Sequence, residues 1–427
     1  MDQKPTSTDH QHKRKRPARV LNPLQRGIQD FVTKNLSEDS LSKYGLSPGT
    51  LLSNLPKKFT VYEPMLLLPV NALSSPSSWS ALYKDLNNEQ RQALYASMVG
   101  AFSRMGVTHV AINAPIALTD VQGQENRMRS PAGLVPLYGD FGPAVSADGQ
   151  PTGEDLQQAF WVHTMQNHGI TQVWAPLHTM FSRGNITEKA RVLGQGSTFE
   201  GLDELSLGGD RLDEISVVDM YAGIGYFVFS YLKRGVKRVW GWEINGWSVE
   251  GLRRGCLANG WDCTVVRIAD DGTLSVSISD LVQNLRDTDR VVLFHGDNRF
   301  AADILKEIRA LVESRGTWSG VRHVNLGLLP SSSAAWDNAC QMVDIQKGGW
   351  IHVHENVDVR EIEKMKDDIT LELGRLRSRT VDIQGEARSF TECRHVEQVK
   401  TYAPGVIHCV YDMKLFSDYE LRQKTVE

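Results

Sequence analysis

The stretch that most constrains this chain is residues 217–243, VVDMYAGIGYFVFSYLKRGVKRVWGWE. Val217 and Val218 are apolar and β-branched, which suits a buried strand, and Asp219 closes it. Ala222, Gly223, Ile224 and Gly225 make a turn, and residues 226–234 carry a helical pattern that Gly235 ends. Residues 237–242 read as a second strand with Glu243 at its carboxyl end. Gly223 and Gly225 let backbone N–H groups at a helix start approach a ligand. An acid about 20 residues beyond such a turn commonly grips ribose hydroxyls. The turn lacks the third glycine that suits a dinucleotide pyrophosphate. It therefore favours a single nucleoside such as S-adenosylmethionine; a purely structural strand–helix turn is the alternative reading of the glycines alone.

From residue 217 onward the pattern alternates. A helix at 248–259 has Leu252, Cys256 and Leu257 as its inner face, and strands are expected at 264–268, 290–294, 321–329 and 349–355. Helices fall at 304–312, 336–343 and 362–376, and two last strands at 389–402 and 405–412. This predicts an α/β fold, a doubly wound Rossmann-like sheet with right-handed crossovers. Ligands of such sheets bind outside the carboxyl ends of the strands. Gly223 and Gly225, Glu243, Asp297 with Asn298, and Pro330-Ser331 all fall at such ends. Residues 26–150 read as a smaller N-terminal α+β domain ahead of a 151–427 donor-binding domain, with 144–154 as the linker. Residues 1–25 form a polar tail with a basic run from Lys13 to Arg16. That run suits a solvated tail, a nuclear-import signal or a phosphate contact.

The 427 residues carry a net charge of −4, so any nucleic-acid surface is a local patch. No apolar run is long enough to span a membrane, and the N-terminus is not a secretory leader. Five scattered cysteines form no CxxC pair, which points to a reducing, cytoplasmic setting and away from a zinc site. His352 and His354 share a strand face with Trp350 while Glu355 points the other way, an arrangement of packed or hydrogen-bonded histidines or of groups near a donor's amino-acid end. No metal site is expected. The fourth strand end, LGLLPSS from Leu326, lacks the Asn/Asp-Pro-Pro-aromatic motif of amino-group methyltransferases.

Several longer segments carry a resemblance. They are LPKKFTVYEP from Leu55, LYGDFG from Leu137, MFSRGNITEK from Met180 and DMYAGIGYF from Asp219. Trp242-Glu243, HGDNR from His295, LGLLPSS from Leu326, HVHEN from His352 and YAPG from Tyr402 complete the set. On these the chain resembles the eukaryotic, fungal-like tRNA wybutosine-synthesis aminocarboxypropyltransferases, the second enzyme of that pathway and relatives of the tRNA guanosine N1-methyltransferases. The resemblance implies a class I S-adenosylmethionine-dependent transferase. It would move the 3-amino-3-carboxypropyl group to a ring carbon of the tricyclic base beside the anticodon of tRNA-Phe, releasing methylthioadenosine. The tRNA-Phe anticodon stem-loop is then the partner, and no obligate protein partner is implied. Carried over by motif, Ser182 and Lys189 contact the donor, Lys189 through its carboxylate. Glu243 takes the ribose, Asp297 and Asn298 the adenine side, and His295 and Glu355 the methionine end, with Asp219, Gly223 and Gly225 lining the turn. No catalytic acid or base is implied. Arg183, Arg191 and Arg299 are expected to meet tRNA phosphates. Residues 269–289, polar at both ends with a short helix expected at 281–285, lengthen the interval between Glu243 and Asp297 and are read as a surface loop.

Overall fold

The computed structural model describes residues 21–113, 134–143, 150–166, 169–179, 181, 185–381, 386 and 389–424. It falls into two compact units, one of residues up to Asn113 with Val135–Gly139, the other mainly of residues from Asp140 on. The basic run Lys13 to Arg16 lies outside the described residues, as do Ser182 and Arg183.

In the first unit, Asn22 caps the helix Pro23–Asn35, its side chain accepting from the Gln25 N–H. Leu24, Ile28, Phe31 and Val32 recur at helical spacing, so one face is apolar and buried. It packs on the helix Asn88–Ala101, where a Cβ at Gly27 would come within 2.8 Å of the Met98 Cα. Strands β1 (Thr60–Tyr62), β2 (Met65–Leu68), β3 (His109–Ile112) and β4 (Val135–Tyr138) form a mixed sheet in the order β1-β2-β3-β4.

The second unit opens with a hairpin of β5 (Val162–Gln166) and β6 (Ile170–Trp174). Its main sheet has eight strands. These are β7 (Ser216–Asp219), β8 (Arg238–Glu243), β9 (Asp262–Arg267), β10 (Asp289–His295), β11 (Val321–Leu326), β12 (Gly349–Asp358), β13 (Thr391–Ala403) and β14 (Val406–Leu415). Their order is β13-β14-β12-β11-β7-β8-β10-β9, parallel from β12 to β9, with β14 antiparallel to β12 and β13 antiparallel to β14. Strands with helices on both faces must be apolar on both, and they are. Val218, Trp240, Trp242, Val292 and Phe294 face a core shared with the helices Ala301–Glu313, Trp336–Met342 and Ile362–Ser378. Val217, Val239, Val291 and Leu293 face the helices Val228–Arg234 and Gly246–Ala258.

Two sequence expectations change. Leu257 is 74% exposed; Leu252 and Cys256 alone of that trio face inward, because Leu257 stands next along the helix from Cys256 and turns past the core. Residues 269–289 are not a loose surface loop. The short helix expected there runs Ile278–Asn284, capped by Ser277, and it buries Leu281 and Val282 in the same core as Ile304 and Ile308. The lengthened interval leaves the sheet's interior order intact, because β9 takes the edge and β10 stays beside β8. His295 is thus the register partner of Glu243, and Asp297 follows at the same sheet edge. Among the described residues no helix is long and apolar enough to cross a membrane.

Candidate active site

The carboxyl ends of β7, β8, β10 and β11 converge on the glycine turn. Gly223 has φ +54° and Gly225 φ +89°, angles a side chain resists, and a Cβ on Gly225 would lie 2.5 Å from the Phe229 ring. Glu243 binds the turn directly. Its Oε2 accepts from the Gly223 N–H at 2.8 Å and its Oε1 from the Asn245 N–H at 2.8 Å. Burial raises its pKa against those two bonds. On the next strand end Asn298 Nδ2 donates to the Met220 carbonyl at 2.7 Å, and Asp297 Oδ1 accepts from the Arg299 N–H at 3.0 Å. Glu243, Asp297 and Asn298 therefore gather on one side of the turn.

His295 belongs to that side as well. The resemblance puts it at the methionine end, but β8 separates its strand from β7, and the side chain is drawn to Gln150. Gln150 Oε1 accepts from His295 Nε2 at 3.1 Å and from the Gly246 N–H at 2.9 Å, while its Nε2 donates to the Ile244 carbonyl at 2.8 Å. Sequence reasoning passes over Gln150 because it lies in a Gly/Asp/Pro-containing linker. Glu355, on β12, reaches the fourth strand end, where its Oε1 accepts from Ser331 Oγ at 2.9 Å and the Ser332 N–H at 3.1 Å. Burial raises its pKa.

Two buried polar atoms at the turn have no hydrogen-bond partner among the described residues. Asp219 Oδ1 accepts from Asn325 Nδ2 and the Tyr221 N–H, both at 3.2 Å, but Oδ2 is unsatisfied. Desolvation pushes this carboxyl up to about 7. Lys189 is 1% exposed and its Nζ has no hydrogen-bond partner, lying only 4.8 Å from the Tyr226 ring centroid. Burial, with the charge of Lys400 second, lowers its pKa to about 8. An unsatisfied carboxylate oxygen and an unsatisfied ammonium near the glycine turn suit the ammonium and carboxylate of an amino-acid arm.

The helix Ile186–Val192 that carries Lys189 is held by a buried network. Arg191 donates to Glu188 at 2.8 and 3.0 Å and to Asp412 Oδ2 at 2.9 Å. Its exposure is 0%, so this arginine is committed internally and is not a phosphate contact, contrary to the sequence expectation. Asp412 Oδ1 lies 2.7 Å from His352 Nδ1, His352 Nε2 lies 2.9 Å from His323 Nδ1, and His323 Nε2 donates to the Gly201 carbonyl at 2.6 Å. Burial disfavours the charge on Asp412, yet the hydrogen bonds and charges of His352 and Arg191 outweigh it and hold the carboxyl below its ordinary range. His352 is therefore a packed, hydrogen-bonded histidine. Of the other arginines expected at tRNA, Arg299 donates to the Asp270 carbonyl and lies over the Phe300 ring.

No family model matches the chain. Known proteins do. The tRNA wybutosine-synthesizing protein 2 of Schizosaccharomyces pombe is 39% identical over 362 residues, which cover 84% of this chain and 73% of that protein. Its namesake from Saccharomyces cerevisiae is 32% identical over 415 residues, covering 90% and 80%. The chain belongs to the tRNA wybutosine-synthesizing protein 2 family. The fold agrees with that family: the crystal structure of P. horikoshii TYW2 in complex with MeSAdo superposes with a TM-score of 0.50 at 16% identity, covering 92% of this chain and 100% of that one. Within a family of this fold, the strand-end residues are the part that a shared donor would use.

Proposed function

We propose that this chain transfers the 3-amino-3-carboxypropyl group of S-adenosylmethionine to C7 of the 4-demethylwyosine base beside the anticodon of tRNA-Phe, in the cytoplasm. Family membership carries this reading, and the two unsatisfied charged atoms at the nucleoside turn support it. The donor supplies an activated sulfonium: the ring carbon attacks the γ-carbon, the carbon–sulfur bond breaks with its electron pair going to sulfur, methylthioadenosine leaves, and the ring carbon releases its proton to water to restore the aromatic base.

The protein's work is then positioning. Glu243, fixed by the Gly223 and Asn245 N–H groups, takes the ribose hydroxyls. Asp297 and Asn298 serve the adenine side, with His295 and Gln150 closing that side. Lys189, alongside Ser182 from the same segment, holds the donor carboxylate, and Asp219 faces its ammonium. Glu355 shapes the far strand end. The first unit contributes to tRNA binding, and the anticodon stem-loop is the part recognised.

The reading is tested by digesting tRNA-Phe bearing the tricyclic precursor after incubation with protein and S-adenosylmethionine. Mass analysis should find a nucleoside heavier by one aminocarboxypropyl group. A nucleoside heavier by one methyl would make the chain a tRNA guanosine methyltransferase, and an unaltered tRNA that is nevertheless bound would make it a non-catalytic binding protein.

A further inference from the structure

The helix that carries Lys189 packs on a sheet face that bears a second cation. Arg191, two residues along the helix, bonds to Asp412 on β14. Alternate residues of a strand share a face, so His408 lies on the same face as Asp412. Lys400 on β13 is the register partner of His408, and cross-strand partners project to the same side. The helix also meets β13 directly, Arg191 Nε lying 3.9 Å from Glu397 Oε2. Lys400 therefore projects from the face on which this helix packs, at its exposed margin, and its charge is felt by both Lys189 and His408.

No carboxylate among the described residues neutralises this pair. Glu397 is bonded to Ser197 and His395, and Asp412 to Arg191 and His352. His408 Nε2 lies 3.1 Å from His354 Nδ1, and burial holds both rings neutral at ordinary pH, His408 down at about 4. The Lys400 charge adds to burial in lowering the Lys189 pKa, and an oxyanion between the two ammonium groups would offset both. Lys189 is too deeply buried to meet a polynucleotide backbone, but it admits the end of a small molecule. Tyr226, against which it lies, follows directly on the Gly223–Gly225 turn.

We propose that Lys400 and Lys189 together clamp the carboxylate of the donor's amino-acid arm, with His408 packed on the same face beside Lys400. The inference rests on the reading of the glycine turn as the nucleoside site. It gives the clamp a specific task, since the carboxylate it grips belongs to the group that is transferred.

The test is calorimetric binding of three ligands: S-adenosylmethionine, decarboxylated S-adenosylmethionine and methylthioadenosine. Lys400 is exposed enough for Lys400→Met to fold, which a thermal melt verifies. Losing one charge-assisted contact should weaken S-adenosylmethionine about tenfold and leave the two ligands without a carboxylate within about twofold, and Lys400→Arg should recover most of the loss. Wild-type affinities for all three in Lys400→Met would overturn the clamp, as would a uniform loss across the three. Failure of the wild-type protein to bind methylthioadenosine would instead overturn the nucleoside reading, and the clamp with it.

Discussion

Asp219 is the residue where structure and chemistry pull hardest against each other. It is fully buried, one oxygen is unsatisfied, and desolvation moves its pKa from the ordinary 3.8 to about 7. Between those values the folded protein holds a proton that the unfolded chain has released. Stability contributed by this group is therefore complete below about pH 4 and declines as pH rises toward 7. Asp219→Asn removes the decline and keeps an acceptor for Asn325. In ligand-free urea titrations the variant should gain on wild type by a few kcal/mol between pH 4.5 and 7.5, with a ceiling of roughly 1.4 kcal/mol for each pH interval of one separating the folded and unfolded values. A pH-independent difference between the two proteins would show that Asp219 titrates normally. Lys189 was legible as a residue, since MFSRGNITEK marks it, but its isolation was not. That depends on Arg191 taking Asp412, 221 residues away in sequence.

Among the elements, the helix Ile278–Asn284 shows what local pattern conveys and what it leaves out. A polar stretch with a short apolar patch announces a helix. It does not tell whether Leu281 and Val282 meet solvent or the core, because the receiving surface is the later helix Ala301–Glu313. With Leu281 at 6% exposure, Leu281→Ala should cost about 2–4 kcal/mol in denaturant unfolding. A change below about 0.5 kcal/mol would return the segment to the status of a loop. Strand pairing was similarly hidden. Strands and their ends could be read from β-branched runs and glycine or proline stops, yet nothing local says that β9 lies outside β10. The bulges between Cys393 and His395 and between Gln398 and Lys400 shift which β13 side chains share a face, so Lys400 gave no signal in the sequence.

At the scale of the whole molecule, the alternating order of elements carried the α/β architecture, and the sheet's parallel run delivers its functional ends to one edge. Glu243, Asp297 and the glycine turn were legible as strand-end residues, because the alternation of strands and helices alone decides which residues reach that edge. Gln150 and the Asp412–His352–His323 network were not, since each depends on packing between distant parts of the chain. What the edge then does is choose among carbons of one sulfonium. Under the proposed function, the nucleoside side binds the donor without making that choice, and the side holding the amino-acid arm makes it. The most direct measurement supplies tRNA-Phe bearing the tricyclic base with S-adenosylmethionine labelled either in its carboxyl carbon or in its methyl group. The account predicts that the carboxyl label enters the tRNA while the methyl label leaves with the released thioether nucleoside. Methyl label in the tRNA, with the carboxyl label released, would contradict it.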